Sequence, residues 1–512
     1  MAASPFCSEG RSPNIVVIMA DDLGWNHHSI DHPVMRGRRG EFHTPHLEEL
    51  ASRGMIFSHA YAQPNCAPTR ACLLTGQYPC RVNHQVYSVG NLNRFGGGVS
   101  RKSANFTGPE QSEDVAAAAV TLAEVLRMNG YATAHFGKYH VGGHDGSGTL
   151  PENQGFALNV GGGPAGHQKA CFASKSASGW EFKQTGYGAL DRFAEPYSNP
   201  YLQSHGMPAS LEKSPKHLTD ALSDAVEETI SKWSAQQEPF YLQVHPWAVH
   251  SPVQARADLI EAVRKRRNAD AGSDSSIAYP AFVAGFDTLV GRIIKRLGDP
   301  NGDGNPDDSI IDNTLVIVTS DNGGVHADNL PLRGAKGEFF EGGIRVPLVA
   351  AWPGVIPAGS SSQRLVHAVD FYPTLLEITG ATQLPDPEEH PLDGFSFAQT
   401  LRNPDSSQDR GPIFYLFPGY LDRRASPLAC VIERVDGTLY KLIYHWEKAA
   451  WTLYAPEQNG GEQRNLADQQ PAVARHLAKK LLSWLKQEHP TWRPRYPRHK
   501  LSGQETGPPP MP

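Results

Sequence analysis

Asp21 and Asp22 close one short apolar run, Asp321 and Asn322 close another, and all four side chains offer oxygen donors. With no soft ligand set nearby in sequence, such oxygens select a hard cation, Ca2+ or Mg2+, over zinc or copper. Each pair alone is equally at home as a helix N-cap or a polar turn. Only together do they make a mononuclear site. Cys66 is followed four residues later by Arg70, so a helix starting at Cys66 would carry both on one face. Lys138 and Lys336 bring point positive charge suited to an anionic group. His140 and His250 can exchange protons near neutral pH. Most of the 22 histidines must be ordinary core or surface residues, and nothing singles out His27, His28, His135, His144 or His245.

The elements that must position these groups are short runs rich in β-branched residues: Asn14–Ala20, Tyr131–His135, Phe240–His245, Thr314–Thr319 and Val346–Trp352. Apolar runs without strict alternation suit strands covered on both faces, as in a parallel sheet. Helical spacing lies between them, over Pro45–Arg53, Val115–Asn129, Leu218–Gln236 and Tyr279–Leu297. This alternation predicts an α/β domain over residues 14–404, a large doubly wound, mostly parallel sheet flanked by helices. Four of its strands end in ligand-type loops: Asp21-Asp22, Gly137 to His140, His245 to His250, and Asp321 to Gly324. In open α/β sheets, ligands bind beyond the carboxyl ends of strands.

From about residue 405 to 500 the pattern changes. Ile413–Phe417, Cys430–Arg434, Tyr440–Tyr444 and Trp451–Tyr454 predict a four-stranded antiparallel meander, covered by a helix over Pro471–Lys486. Residues 501–512 end in a proline-rich tail expected to be disordered.

Composition narrows the function classes. The chain has 512 residues, 39% hydrophobic and 20% charged, with a net charge of −6. That excludes a fibrous or largely disordered chain and a basic field for nucleic acid. Its clean apolar runs fall far short of the ~20 residues of a membrane span. The 49 glycines and 41 prolines imply many loops, where sites are built. Six scattered cysteines without a CxxC pair speak against a zinc cage. Three of them (Cys66, Cys72, Cys80) lie close together, which leaves one buried thiol plus a disulfide as the plainest reading. The first residues have no signal-peptide core, so either the protein is cytosolic or a signal has been removed.

The stretch Asn65-Cys66-Ala67-Pro68-Thr69-Arg70 through Leu74-Thr75-Gly76 resembles the modification signature of the type I, formylglycine-dependent sulfatases of the alkaline phosphatase superfamily. Asn65 departs from the small or apolar residue usual there. Gly130-Tyr131-Ala132-Thr133 to Gly137-Lys138-Tyr139-His140 resembles the second signature, with Phe136 bulkier than usual. Thr319 to Gly324, Gly334 to Gly337, Glu341 to Pro347, Asp370 to Thr374 and Glu462 to Leu466 follow in the family's order, so the resemblance spans about Asn14 to Lys486.

The resemblance implies an alkaline phosphatase-like fold and sulfate ester hydrolysis. It implies that Cys66 becomes Cα-formylglycine through a formylglycine-generating or an anaerobic sulfatase-maturating enzyme. The hydrated aldehyde would then be the nucleophile. By the same likeness Asp21, Asp22, Cys66, Asp321 and Asn322 surround Ca2+, with Mg2+ the second choice. Arg70 would hold the diol and metal ligands. His140 would assist collapse of the sulfated intermediate, His250 would protonate the departing oxygen, and Asp321 would activate the attacking hydroxyl. Lys138, His250 and Lys336 would bind the sulfate. The physics agrees: the reaction needs a nucleophile, charge stabilisation for sulfuryl oxygens and an acid for the leaving alcohol.

The segment Gly155 to His167 resembles loops of microbial polysaccharide sulfatases, and the segments 87–105 and 155–199 could wall a sugar pocket. Phe172, Trp180, Phe182 and Tyr187 suit stacking on sugars or packing within the loop equally. The expected substrate is therefore a sulfated glycan, in the periplasm or outside the cell as is common in the family. The alternatives are an arylsulfatase, a phosphatase or phosphonate hydrolase of the superfamily, and a non-catalytic glycan-binding relative. Asp299 to Asp308 imitates an EF-hand loop with Ile310 at the twelfth position, where the bidentate Glu belongs. A polar turn is the expectation, with a weak calcium site as the alternative. Arg264 to Arg267 suits a solvated helix face, or guidance of a polyanion.

Overall fold

The computed structural model describes residue 6 and residues 12–183, 189–267, 275–325, 329–406, 410–458 and 461–512. Its frame is one nine-stranded mixed sheet. In chain order the strands are β1 (Asn14–Ala20), β2 (Met55–Tyr61), β3 (Ala132–Gly137), β4 (Leu158–Val160), β5 (Phe240–His245), β6 (Thr314–Ser320), β7 (Arg345–Val346), β8 (Leu348–Ala351) and β9 (Ser360–His367). β1 lies between β5 and β6, and β5, β3 and β4 continue outward, all parallel. β8 runs antiparallel to β6 and β2, and β9 is parallel to β2. The doubly wound, mostly parallel expectation holds, with β7 and β8 as the reversed pieces.

Every residue of β1 is buried, and alternate side chains go to opposite layers. Val16, Ile18 and Ala20 join a core under α1 (Pro45–Arg53), α4 (Leu218–Ser234) and α6 (Ser275–Gly298). Ile15, Val17 and Met19 join the core under α2 (Cys66–Thr75), α3 (Leu122–Met128) and α7 (Phe371–Thr379). Helix α5 (Ala257–Arg266) packs on α6. The α6 segment Ser276–Gly298 is long and apolar enough to cross a membrane, but 67% of its apolar window is buried inside the protein.

Four elements differ from expectation for local reasons. The predicted strand Val346–Trp352 splits at Pro347, which has no N–H for the ladder. α3 begins only after Thr121, whose hydroxyl accepts from Glu124 N at 3.1 Å while Glu124 Oε2 accepts from Thr121 N at 2.7 Å. Strands β2 and β9 carry Ser and His among their apolar residues, so their pattern did not announce them; pairing with each other and burial define them.

The C-terminal sheet is a four-stranded meander of β10 (Ile413–Phe417), β11 (Leu428–Val435), β12 (Thr438–His445) and β13 (Ala450–Tyr454), packed by α8 (Pro471–Leu485). The tail expected to be disordered lies on this part of the molecule. Arg498 bridges to Glu505, and Trp451 Nε1 donates to Pro510 O at 3.2 Å. Its prolines lack N–H groups but offer carbonyls, which suits a segment held by a neighbour's donor. The expected disulfide is absent among the described cysteines: Cys66, Cys72, Cys80, Cys171 and Cys430 are buried free thiols. Cys7 lies outside the described residues.

Candidate active site

The carboxyl ends of five parallel strands supply the site. Asp21 and Asp22 follow β1, Lys138 and His140 follow β3, His250 follows β5, and Asp321 and Asn322 follow β6. Cys66 opens α2, five residues beyond β2, with Asn65 at the N-cap and Pro68 in the first turn, where a missing N–H costs nothing. The helix places Arg70 one turn on, as its spacing predicts. Gly137 makes the turn possible: it sits at φ 90°, and a Cβ there would lie 2.2 Å from His245 O.

These side chains meet. Arg70 donates from Nε and Nη2 to Asp321 Oδ2 at 3.1 and 2.6 Å, and from Nη1 to Lys138 O at 2.7 Å. Lys138 Nζ, fully buried, lies 3.0 and 2.8 Å from the two oxygens of Asp21. Lys336 Nζ lies 2.6 Å from Asp22 Oδ1, which also accepts from Asn322 Nδ2 at 2.7 Å. Asp22 N donates to Asp321 Oδ1 at 3.1 Å. Ligand atoms of Asp21, Cys66 and Asp321 lie within 4.8 Å of one another.

Two acceptors in this cluster have no hydrogen-bond partner among the described residues: Asp22 Oδ2 and Asn322 Oδ1, both buried. Leaving a buried acceptor unpaired costs about 1–3 kcal/mol. Hard oxygens facing three carboxylates are what a Ca2+ or Mg2+ ion would satisfy, so the residues present fit such an ion.

Charge sets the protonation states. Burial pushes the Asp321 carboxyl up, but Arg70, Lys138, Lys336 and the Asp22 N–H outweigh it and bring its pKa down to about 2. Burial raises Asp21 despite the opposing Lys138. Burial also opposes charge on Lys336, yet Asp22, Cys66, Asp21 and Asp321 hold its ammonium above the usual range. His140 is kept well below its ordinary value by burial and by Lys138, Arg70 and Lys336. Its Nδ1 is buried without a hydrogen-bond partner among the described residues. His250 contacts Ser251 O through Nδ1 at 2.8 Å, which fixes the proton there, and turns Nε2 to within 3.6 Å of Asp22 Oδ2.

Every candidate residue thus falls in one cluster. Thr69 was not singled out, although it lies within the motif. Its hydroxyl accepts from Gln63 N at 2.9 Å and donates to Asp321 O at 2.5 Å, tying α2 to β6. The predicted wall from Tyr87 to Asn105 is fastened to the C-terminal part by pairing of Asn93 and Arg94 with Tyr420 and Leu421. Arg424 reaches Lys336 O from there at 3.5 Å. Of the loop aromatics, Phe182 is buried, while Phe172 and Trp180 pack against the core, so those three serve loop packing. Tyr187 lies outside the described residues. Asp299 to Asp308 is a polar turn whose carboxylates accept from Gly302, Gly304 and Asn305 N–H groups. The carboxylates of Asp299, Asp303 and Asp308 approach within 4.8 Å of one another.

Residues 13–381 match the family model described as Sulfatase. The chain belongs to the sulfatase family. Residues 335–488 of this sulfatase also match a model described as N-sulphoglucosamine sulphohydrolase, C-terminal. It is 37% identical over 502 residues to a protein of Formosa agariphila named sulfatase, covering 93% of this chain and 89% of that protein. It is 28% identical over 477 residues to human N-acetylgalactosamine-6-sulfatase, covering 90% and 78%. In fold it is similar to Ps i-CgsB, solved in complex with k-i-k-neocarrahexaose, with a TM-score of 0.66, 24% identity and 96% of each chain covered. As a family member this sulfatase is a sulfuric ester hydrolase.

Proposed function

We propose that this sulfatase removes a sulfate ester from a sulfated carbohydrate, with Cys66 converted to Cα-formylglycine and one Ca2+ ion bound. The observation that carries the reading is the pair of buried oxygens of Asp22 and Asn322 without a hydrogen bond among the described residues, with Lys336 and His250 at Asp22 and the Asp21, Cys66 and Asp321 group joined to it through Asp22 N. The relatives named N-acetylgalactosamine-6-sulfatase, and Ps i-CgsB in complex with k-i-k-neocarrahexaose, support a glycan substrate, while relatives named arylsulfatase G keep an aryl sulfate in the test.

Modified residue 66 and the cation would supply an oxygen nucleophile and Lewis acidity toward a sulfate oxygen. Asp21, Asp22, Asp321 and Asn322 would hold the cation. Lys138 and Lys336 attract the anionic group, and their buried setting strengthens that attraction over its value in water. Asp321, ionised through Arg70, accepts the proton of the attacking hydroxyl. His250 exchanges its proton at Nε2, the nitrogen left free by Ser251, and delivers it to the leaving oxygen. His140, kept neutral, can accept a proton when the sulfate is expelled.

The test joins mass spectrometry of the peptide containing Cys66 with sulfate release, after production in a host able to make formylglycine. A panel of galactose, N-acetylgalactosamine and glucosamine sulfates, with 4-nitrophenyl sulfate, reports substrate class. A loss of about 18 Da at Cys66 together with turnover of a sugar sulfate is expected from the thiol-to-aldehyde conversion. Unmodified cysteine with no sulfate release would overturn the reading.

A further inference from the structure

The loop after β4 is pressed onto the catalytic edge. His140 N donates to Gly163 O at 2.9 Å, and a Cβ on Gly166 would lie 2.3 Å from His140 Nε2. The loop backbone therefore rests directly on the His140 ring, and it can do so only with glycine at 166. The next residue, His167, turns outward. It is exposed, and its ring lies over that of His250, with centroids 6.0 Å apart and planes 25° from parallel. No hydrogen bond joins the His167 ring to any described residue. Burial and the charges of His250, Lys138 and Lys336 keep its pKa below the ordinary value. A neutral imidazole offers one donor and one acceptor, which matches a hydroxyl better than a second anionic group.

His250 is the residue assigned to the leaving oxygen, so the sugar that carries this oxygen must emerge past it, where His167 stands. We propose that His167 is a specificity-determining residue that hydrogen-bonds the sugar hydroxyl next to the sulfated carbon. This rests on the glycan reading above. The two adjacent rings would address two adjacent oxygens of the sugar, the ester oxygen by His250 and its neighbour by His167. An aryl sulfate has no such hydroxyl to offer.

The test compares wild type, His167→Ala and His167→Asn on the sugar sulfate of the panel turned over best, and on 4-nitrophenyl sulfate. Loss of one substrate hydrogen bond lowers the ratio of sugar to aryl kcat/KM about tenfold in His167→Ala. His167→Asn, which can still donate and accept, restores much of the ratio. Equal loss on both substrates would mean that His167 only supports the loop on His140, and would overturn the inference alone. If wild type hydrolyses 4-nitrophenyl sulfate and none of the sugar sulfates, the glycan reading fails, and this inference with it.

Discussion

Two buried clusters of acids and bases each take a residue from the segment between Arg333 and Arg345, Lys336 in one and Glu341 in the other, and they are finished differently. In one, Lys441 of β12 lies 2.8 Å from Glu341 Oε1 and 2.6 Å from Glu462 Oε1. Glu341 Oε2 accepts from Tyr61 at 3.1 Å and from Arg345 at 3.4 Å, and Glu462 Oε2 accepts from Glu341 N at 2.6 Å. Each carboxylate oxygen there has a cation, hydroxyl or N–H within 3.4 Å, although Glu341 Oε1 meets Lys441 as an ion pair without a hydrogen bond, and the cluster clamps the C-terminal sheet to the catalytic part. In the other, around Cys66, three carboxylates and three cations leave Asp22 Oδ2 and Asn322 Oδ1 without a hydrogen bond among the described residues, and the ion-pair contact of Asp22 Oδ2 with His250 is a longer 3.6 Å. A structural cluster closes on itself, whereas a site keeps acceptors open and bears the cost until a ligand arrives.

The sharpest way to break this comparison is to exchange the losses. Cys66→Ala should lower sulfate release by about 10³-fold or more, since the nucleophile is gone. Its thermal unfolding should move little, because the side chain at position 66 is small and its loss leaves no unpaired charge. Lys441→Met should do the reverse. It strands two buried carboxylates and should cost about 3–5 kcal/mol of stability. At low temperature, activity should stay within about tenfold of wild type. Equal effects of both variants on both readouts would show the clusters to be one unit.

Ca2+ tests the open acceptors directly. At about 100 times its dissociation constant, a ligand of the folded state adds about 2.7 kcal/mol. Calcium chloride added after chelation should therefore raise the unfolding midpoint of wild type and of Lys441→Met alike. Asn322→Leu, which deletes one open acceptor, should lose most of that rise. A rise unchanged in Asn322→Leu would place the ion elsewhere, and the carboxylates of Asp299, Asp303 and Asp308 would be the next place to look.

The open cluster was legible in the sequence and the closed one was not, for a physical reason. Asp21, Asp22, Asp321 and Asn322 each follow a β-branched run, so strand and ligand announce each other within a few residues. Lys138 and His140 follow β3 in the same way, and the Cys66–Arg70 spacing is a helix turn. The closed cluster joins Glu341 to Lys441 and Glu462, about a hundred positions further on, and no local period marks them. His167 was equally silent, because its place over His250 depends on how a glycine-rich loop lies on His140. β9 was hidden by its serines, which are strand residues only because β2 stands beside them.

The smallest expected effect separates charge from wiring. Thr69 carries no charge and touches no predicted ligand through that ligand's side chain, yet its hydroxyl joins Gln63 N to Asp321 O. Thr69→Val keeps the shape and removes both hydrogen bonds, leaving two buried backbone groups unpaired. A loss of about 1–3 kcal/mol in stability is expected. Asp321 should keep its ion pair with Arg70, so the dependence of stability on calcium should persist. Sulfate release should fall only severalfold, through kcat, as α2 and β6 lose register. If calcium dependence disappears in Thr69→Val, the open acceptors are held in place by this neutral link rather than by the surrounding charges, and the contrast between the two clusters would then be one of backbone support.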